Sequence, residues 1–194
     1  MHIRQEKQIR TFLIEEFGAA QGSSLFGRQE KILRALIGRQ EGKSTLQRQA
    51  LIRTILPCIA LYQALLEDGL AEAAAYDCAR KYMMDKVAAK MHASAARAEI
   101  IPGFYAIYSS LFLLVTQATG LWASRQARGK GCFDVTITGC LWHTACAESG
   151  CPALCRAFCE ADNVTYGGLQ KIGFTRTQTL GCGGSCCDFH FYRK

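Results

Sequence analysis

Along the first hundred residues the apolar positions fall at helical spacing. Ile9, Leu13 and Phe17 recur every fourth residue, which predicts a helix over Ile3–Phe17 that Gly18 stops. A second stripe, Ile32, Leu33, Leu36 and Ile37, predicts a helix over Gly27–Gly38. Leu46–Leu66 keeps the period with Pro57 inside it, so a kink or a fresh helical start is expected there. Gly69 breaks the pattern. The alanine-rich run Ala71–Met91 is a strong helix former, with His92 at its end and within reach of the C-terminal dipole. From Ile100 to Ser124 no residue is charged, which predicts a long core helix, and Ala127–Gly131 reads as a turn.

Beyond that turn the apolar period drops to two. Phe133, Val135 and Ile137 alternate with polar residues and predict a strand ending at Gly139-Cys140. Leu141–Glu148 predicts a short helix, and Pro152, suited to a first helical position, opens another that runs to Val164. Gln170–Leu180 is rich in threonine and Cys187–Tyr192 alternates through Phe189 and Phe191, so two more strands are expected, joined by a tight turn at Gly181–Gly184. This order predicts an α+β fold: a helical N-terminal half packed on a C-terminal strand-helix-helix-hairpin unit with a small antiparallel sheet. One domain over 1–194 is expected, with 1–131 as helical scaffold and 132–194 as the cysteine-rich part that carries the site.

Composition narrows the function classes. An apolar content of 49% with 20% charged residues supplies a real core without disulfides. The net charge is +7, and residues 1–131 hold the excess, 18 Lys/Arg against 11 Asp/Glu, while 132–194 hold 5 of each. The basic residues are spread singly along helix faces and are not interleaved with aromatics, so no nucleic-acid partner is expected, whereas a small anionic substrate is compatible. Gly38–Thr45 has three residues between its first glycine and Gly42-Lys43, one short of a phosphate-binding loop, and follows a helix. It reads as a polar linker in which Ser44 or Thr45 caps the next helix. The uncharged stretch after Ile100 is long enough to raise a membrane span, but Pro102-Gly103 and the scattered polar residues favour a core helix, so no membrane partner is expected. The charged start MHIRQEKQIRTF lacks the apolar stretch of a signal peptide, which predicts a cytoplasmic, thiol-reducing location. A homo-oligomer is compatible with all of this.

Cysteine is where chemistry enters. Nine of eleven lie between Cys132 and Cys187, and an odd total cannot pair within one chain. Cys155, Cys159 and Asp162 stand at i, i+4 and i+7, on one face of the second short helix, with Cys151 at its cap. Cys140 ends a strand where a helix starts, a place where the dipole lowers a thiol pKa. Cys187 enters the last strand from the glycine turn. Zinc-finger and iron–sulfur spacings are absent. Cys140, Cys159, Asp162 and Cys187 are therefore expected around one pocket, with Cys132 and Cys146 outside it. The remaining cysteines read as buried small residues or incidental thiols.

Three pieces of this region, Cys140-Leu-Trp142, Cys159-Glu-Ala-Asp162 and Thr179-Leu-x2-Gly183-x3-Cys187-Asp-Phe189, resemble the L-2-amino-thiazoline-4-carboxylic acid hydrolase family. Ile55-Leu-Pro57, Ala60-Leu-Tyr62 and Leu65 are similar to its helical half, and Gly184 stands where that pattern has an acidic residue. The ending also resembles vinyl-reductase-type ligand-binding domains. The first resemblance implies a hydrolase that opens a carbon–nitrogen bond of a small cyclic amidine or isothiourea carboxylate, such as 2-aminothiazoline-4-carboxylate, giving N-carbamoyl-cysteine. The second implies the alternative, a non-enzymatic sensor that binds a small molecule or a metal. For the reaction, Cys140, Cys159 or Cys187 supplies a thiolate, or the three hold zinc or iron that activates water. Asp162 holds the amidinium and moves protons. Arg176 clamps the carboxylate, with Thr179 lining the substrate and His143 as a base or a solvent-facing residue.

Overall fold

The structure, a computed structural model, describes residues 4–194. The expected start of the first helix at Ile3 lies outside the described residues. Helix α1 spans Arg4–Gly38 and is broken at Gly18, whose φ of 79° only glycine adopts without strain. The expected stop there is a kink, because helix resumes at once and runs through the second apolar stripe. Ser44 caps α2 (Thr45–Ala50): its hydroxyl accepts from the Gln47 N–H, and the Gln47 side chain accepts from the Ser44 N–H. A π-helical turn, Leu51–Ile55, leads into α3 (Leu56–Glu67), with Pro57 in its first turn, where a missing N–H costs nothing. Together Thr45–Glu67 is long and apolar enough to cross a membrane by length and composition, yet 61% of its apolar window is buried in the fold.

Helix α4 (Glu72–Tyr82) continues through a second π turn, Met83–Ala88, into α5 (Ala89–Ala98). His92 therefore lies inside α5, not at a helix end, and its Nδ1 is 3.2 Å from the Thr165 carbonyl. The uncharged stretch is shorter as a helix than expected: α6 spans Phe104–Ala118, and Trp122–Gly129 is a strand, β1. Gly120, at φ 66°, stops the helix, and the alternation Trp122, Ser124, Gln126 suits a half-buried edge strand. β1 pairs antiparallel with β2 (Cys132–Cys140) across Lys130-Gly131, so the boundary expected at residue 131 falls inside a hairpin.

Helix α7 (Leu141–Glu148), a 3-10 turn at Pro152–Leu154 and helix α8 (Cys155–Tyr166) follow, close to expectation. Strand β3 is only Ile172–Thr175, and β4 is Cys187–Arg193. The link between them is not a tight glycine turn but a loop folded around Asp188. Its carboxylate accepts from the N–H of Thr177 (3.0 Å), the N–H of Gln178 (2.8 Å) and the Thr177 hydroxyl. Burial pushes Asp188 up, but these donors outweigh it and hold the carboxyl below the usual range. The sheet is antiparallel in the order β1-β2-β4-β3.

Two cores result. One gathers α1, α3 and α4 with the inner faces of α7 and α8, including Cys146, Cys151 and Cys155. The other lies between the sheet and α6, where Phe133, Val135 and Ile137 of β2 sit opposite Phe191, Phe189 and Cys187 of β4. Period-two alternation gives both strands one apolar face, and pairing in this register sets those faces side by side.

Candidate active site

The cysteine cluster occupies the seam between these cores. Cys187 begins β4 and Cys140 ends β2, so the antiparallel register places both at the same end of the sheet. Helix α8 packs over that end and against the short 3-10 turn Leu180–Cys182. Turn and helix meet closely because residue 181 is glycine: a Cβ there would lie 2.8 Å from Cys159 Sγ and 3.0 Å from the Cys155 backbone. Two sulfurs consequently land on consecutive peptide units. The Leu180 N–H donates to Cys187 Sγ at 3.3 Å, and the Gly181 N–H faces Cys159 Sγ.

Cys159 is half-buried and surrounded by donors. The Cys155 and Cys187 thiols point hydrogens at its sulfur, with the Thr179 hydroxyl and the Gly181 N–H behind them, and together they outweigh burial and hold the thiol well below its usual range. Thr179, itself buried, is oriented by accepting from the Cys182 N–H at 3.2 Å. Donating to Cys159 and losing solvent raise Cys187 strongly, so the two thiols are shifted in opposite directions. Cys140 does not take the expected low value. The Trp142 and His143 N–H groups at the start of α7 lower it, but burial is larger and sets it at about 11.

Asp162 lies one turn beyond Cys159. Its Oδ2 accepts from Arg176 Nη1 at 3.0 Å, and Arg176 Nη2 donates to the Cys159 carbonyl at 2.6 Å. Burial pushes Asp162 up to about 7; the Arg176 guanidinium pulls it down, and the nearby Cys159 thiolate pushes it further up. The Tyr108 and Tyr166 rings lie close enough for Asp162 to act on their hydroxyls. Arg176, only 10% exposed, sits between the Phe174 and Phe189 rings, 5.8 Å from each centroid.

The fold thus brings Cys140, Cys159, Asp162, Cys187, Arg176 and Thr179 to one seam. His143 stands apart in chemistry: half-buried on α7, its side chain makes no hydrogen bond or ion pair with another described residue. Cys146 touches none of the four expected residues directly. Its sulfur contacts those of Cys151 and Cys155, and Cys155 in turn contacts Cys159, so a chain of thiols runs from α7 through α8 to the last strand. Cys155 was readable as a participant from its i, i+4 relation to Cys159, whereas Cys146 and the Gly181 N–H meet the site only through folding. Cys132 stays at the β1–β2 turn.

For zinc or iron the fit is poor. Among the described residues no group of three or more His, Cys, Asp or Glu side chains is arranged to hold a metal ion. Two surface grooves, one of about 430 Å³ lined by Leu36, Gln63 and Glu148 and one of about 390 Å³ lined by Lys7 and Lys90, include none of these thiols. The departure at Gly184 has a steric basis. A Cβ there would come within 2.8 Å of Gln178 Oε1 and 3.0 Å of the Thr179 carbonyl, so the loop as folded has no room for an acidic side chain.

No curated protein and no solved structure matches this chain. The sequence pattern of one family does, over residues 46–191, which runs from α2 through the seam and into β4 and leaves out α1. On that match, covering most of its length, the chain belongs to the L-2-amino-thiazoline-4-carboxylic acid hydrolase family.

Proposed function

We propose that this chain hydrolyses a small cyclic isothiourea or amidine that carries a carboxylate, with 2-aminothiazoline-4-carboxylate as reference substrate. The observation that supports it best is the half-buried Cys159 thiol, packed against the Leu180–Cys182 turn and one helical turn from Asp162, whose carboxyl Arg176 holds at 3.0 Å. The ring carbon between sulfur and two nitrogens is electrophilic once the nitrogens are protonated. Cys159 adds to that carbon, and the ring C–S bond breaks as Asp162 gives the departing sulfur its proton. Water then adds to the same carbon, Asp162 takes a proton back, and collapse frees the Cys159 thiolate. The water oxygen becomes the carbonyl of N-carbamoyl-cysteine.

This balance corrects the expected bond. Forming an N-carbamoyl product keeps both C–N bonds and breaks C–S; ring C–N rupture would instead leave an S-carbamoyl product with a free amine. Arg176 uses two of its five N–H donors internally, and the others are offered to the substrate carboxylate.

The test is turnover of 2-aminothiazoline-4-carboxylate followed by thiol release. A new free thiol without new primary amine is expected, and Cys159→Ser should cut the rate on the order of 10³-fold, since an alcohol is barely ionised at neutral pH. A chelator should leave the rate unchanged. Loss on chelation with recovery on zinc or iron would replace the thiolate with a metal-activated water. Binding of the ring compound without opening would replace the enzyme with a sensor.

A further inference from the structure

We propose that Cys159 and Cys187 are a peroxide-driven disulfide pair, Cys159 reacting first and Cys187 resolving, so that the seam is also an oxidative modification site. The inference shares with the proposed function only the thiolate on Cys159. Two sulfurs from different elements, helix α8 and strand β4, rest on consecutive peptide units: the Leu180 N–H donates to Cys187 Sγ at 3.3 Å, and a Cβ at Gly181 would lie 2.8 Å from Cys159 Sγ. All eleven cysteines are free.

The other neighbours are poorer partners. Cys155 stands four residues before Cys159 on the same helix, where Cβ atoms are about 5–6 Å apart. A disulfide needs about 3.5–4.5 Å between them, so that pair cannot close while the helix is intact. Cys146 and Cys151 also touch, across the end of α7 where the Cys151 N–H donates to the Cys146 carbonyl at 2.9 Å. Both are buried, though, while Cys159 is half-exposed to a small oxidant.

The chemistry balances with hydrogen peroxide as oxidant. The Cys159 thiolate attacks one peroxide oxygen, the O–O bond breaks, and sulfenic acid and hydroxide form. The Cys187 sulfur then attacks the sulfenic sulfur, the S–O bond breaks, and the hydroxyl leaves as water with the Cys187 proton. Two thiols have lost two electrons, and peroxide has become water. A dithiol such as dithiothreitol reverses the bond by exchange.

The full chain is treated with one equivalent of hydrogen peroxide at neutral pH, alkylated, digested and mapped by mass. Two of the eleven thiols should vanish, with Cys159 and Cys187 in one linked peptide that dithiothreitol separates. In Cys187→Ser the link should be absent and Cys159 should carry a dimedone-trappable sulfenic acid that passes to sulfinic acid. Cys155→Ser should keep the link. Peroxide consumption without a Cys159–Cys187 link, a Cys146–Cys151 link in its place, or loss of the link in Cys155→Ser would each overturn the proposal. The readout is mass, not turnover, so a linked peptide in a protein that opens no ring removes the proposed function alone. Ring opening without a link removes this inference alone.

Discussion

Asp162 shows how one residue's setting becomes a measurable property of the protein. Its carboxyl titrates near 7 in the fold and near 3.8 as a free group, with burial as the main cause. The unfolded chain therefore ionises it first as pH rises. Its contribution to stability is fully present below about pH 4, falls as pH rises towards 7, and is flat above that. Asp162→Asn removes the titration. Relative to the parent, the variant should gain stability steadily between pH 4 and 7, read as the difference in urea midpoints. A difference that does not change with pH would show that Asp162 is not raised. The same residue explains why sequence spacing alone underdetermines chemistry: i, i+7 from Cys155 fixes the helix face, but the raised pKa comes from burial, opposed by Arg176, and only folding supplies either.

At the scale of elements, the site depends on the approach of α8 to the Leu180–Cys182 turn. Gly181 is the contact point, and its missing side chain is what lets a peptide N–H reach Cys159. Gly181→Ala puts a methyl 2.8 Å from that sulfur, so turn and helix must separate. Overpacking of this kind costs about 1–3 kcal/mol. The expected outcome is a lower urea midpoint together with a higher Cys159 pKa, read from the pH dependence of iodoacetamide labelling. Lost stability with an unchanged labelling profile would mean that the Gly181 N–H does not hold the thiolate. The short β3 and the Asp188-centred loop belong to the same scale. A threonine-rich run reads as strand, yet three donors converging on Asp188 draw Thr177 and Gln178 out of the ladder and form the turn that faces α8.

For the molecule as a whole, Phe191 ties the sheet to the helices. It is fully buried, and its ring packs on Phe133, Phe112, Tyr166 and Phe174 from β2, α6, α8 and β3. Phe191→Ala should cost about 3–5 kcal/mol in a single cooperative transition followed by circular dichroism. A loss below about 1 kcal/mol would mean that the sheet core does not set global stability. The sequence by itself determined the α+β class, the Ser44 cap, the Pro57 restart, the strands β2 and β4 and the family, because each rests on local spacing or on short motifs, whereas the pairing of β2 with β4 is tertiary. It placed Cys159 and Asp162 on one face for the same reason. It misplaced β1, whose weak alternation was hidden beside a longer uncharged run. It also took Cys140 for the low-pKa thiol, because a helix N-terminus is visible in sequence and burial is not. Which thiol is held low and which peptide N–H lies beside it were decided only in the tertiary structure, where the two cores close on the seam and bring the Leu180–Cys182 turn against α8.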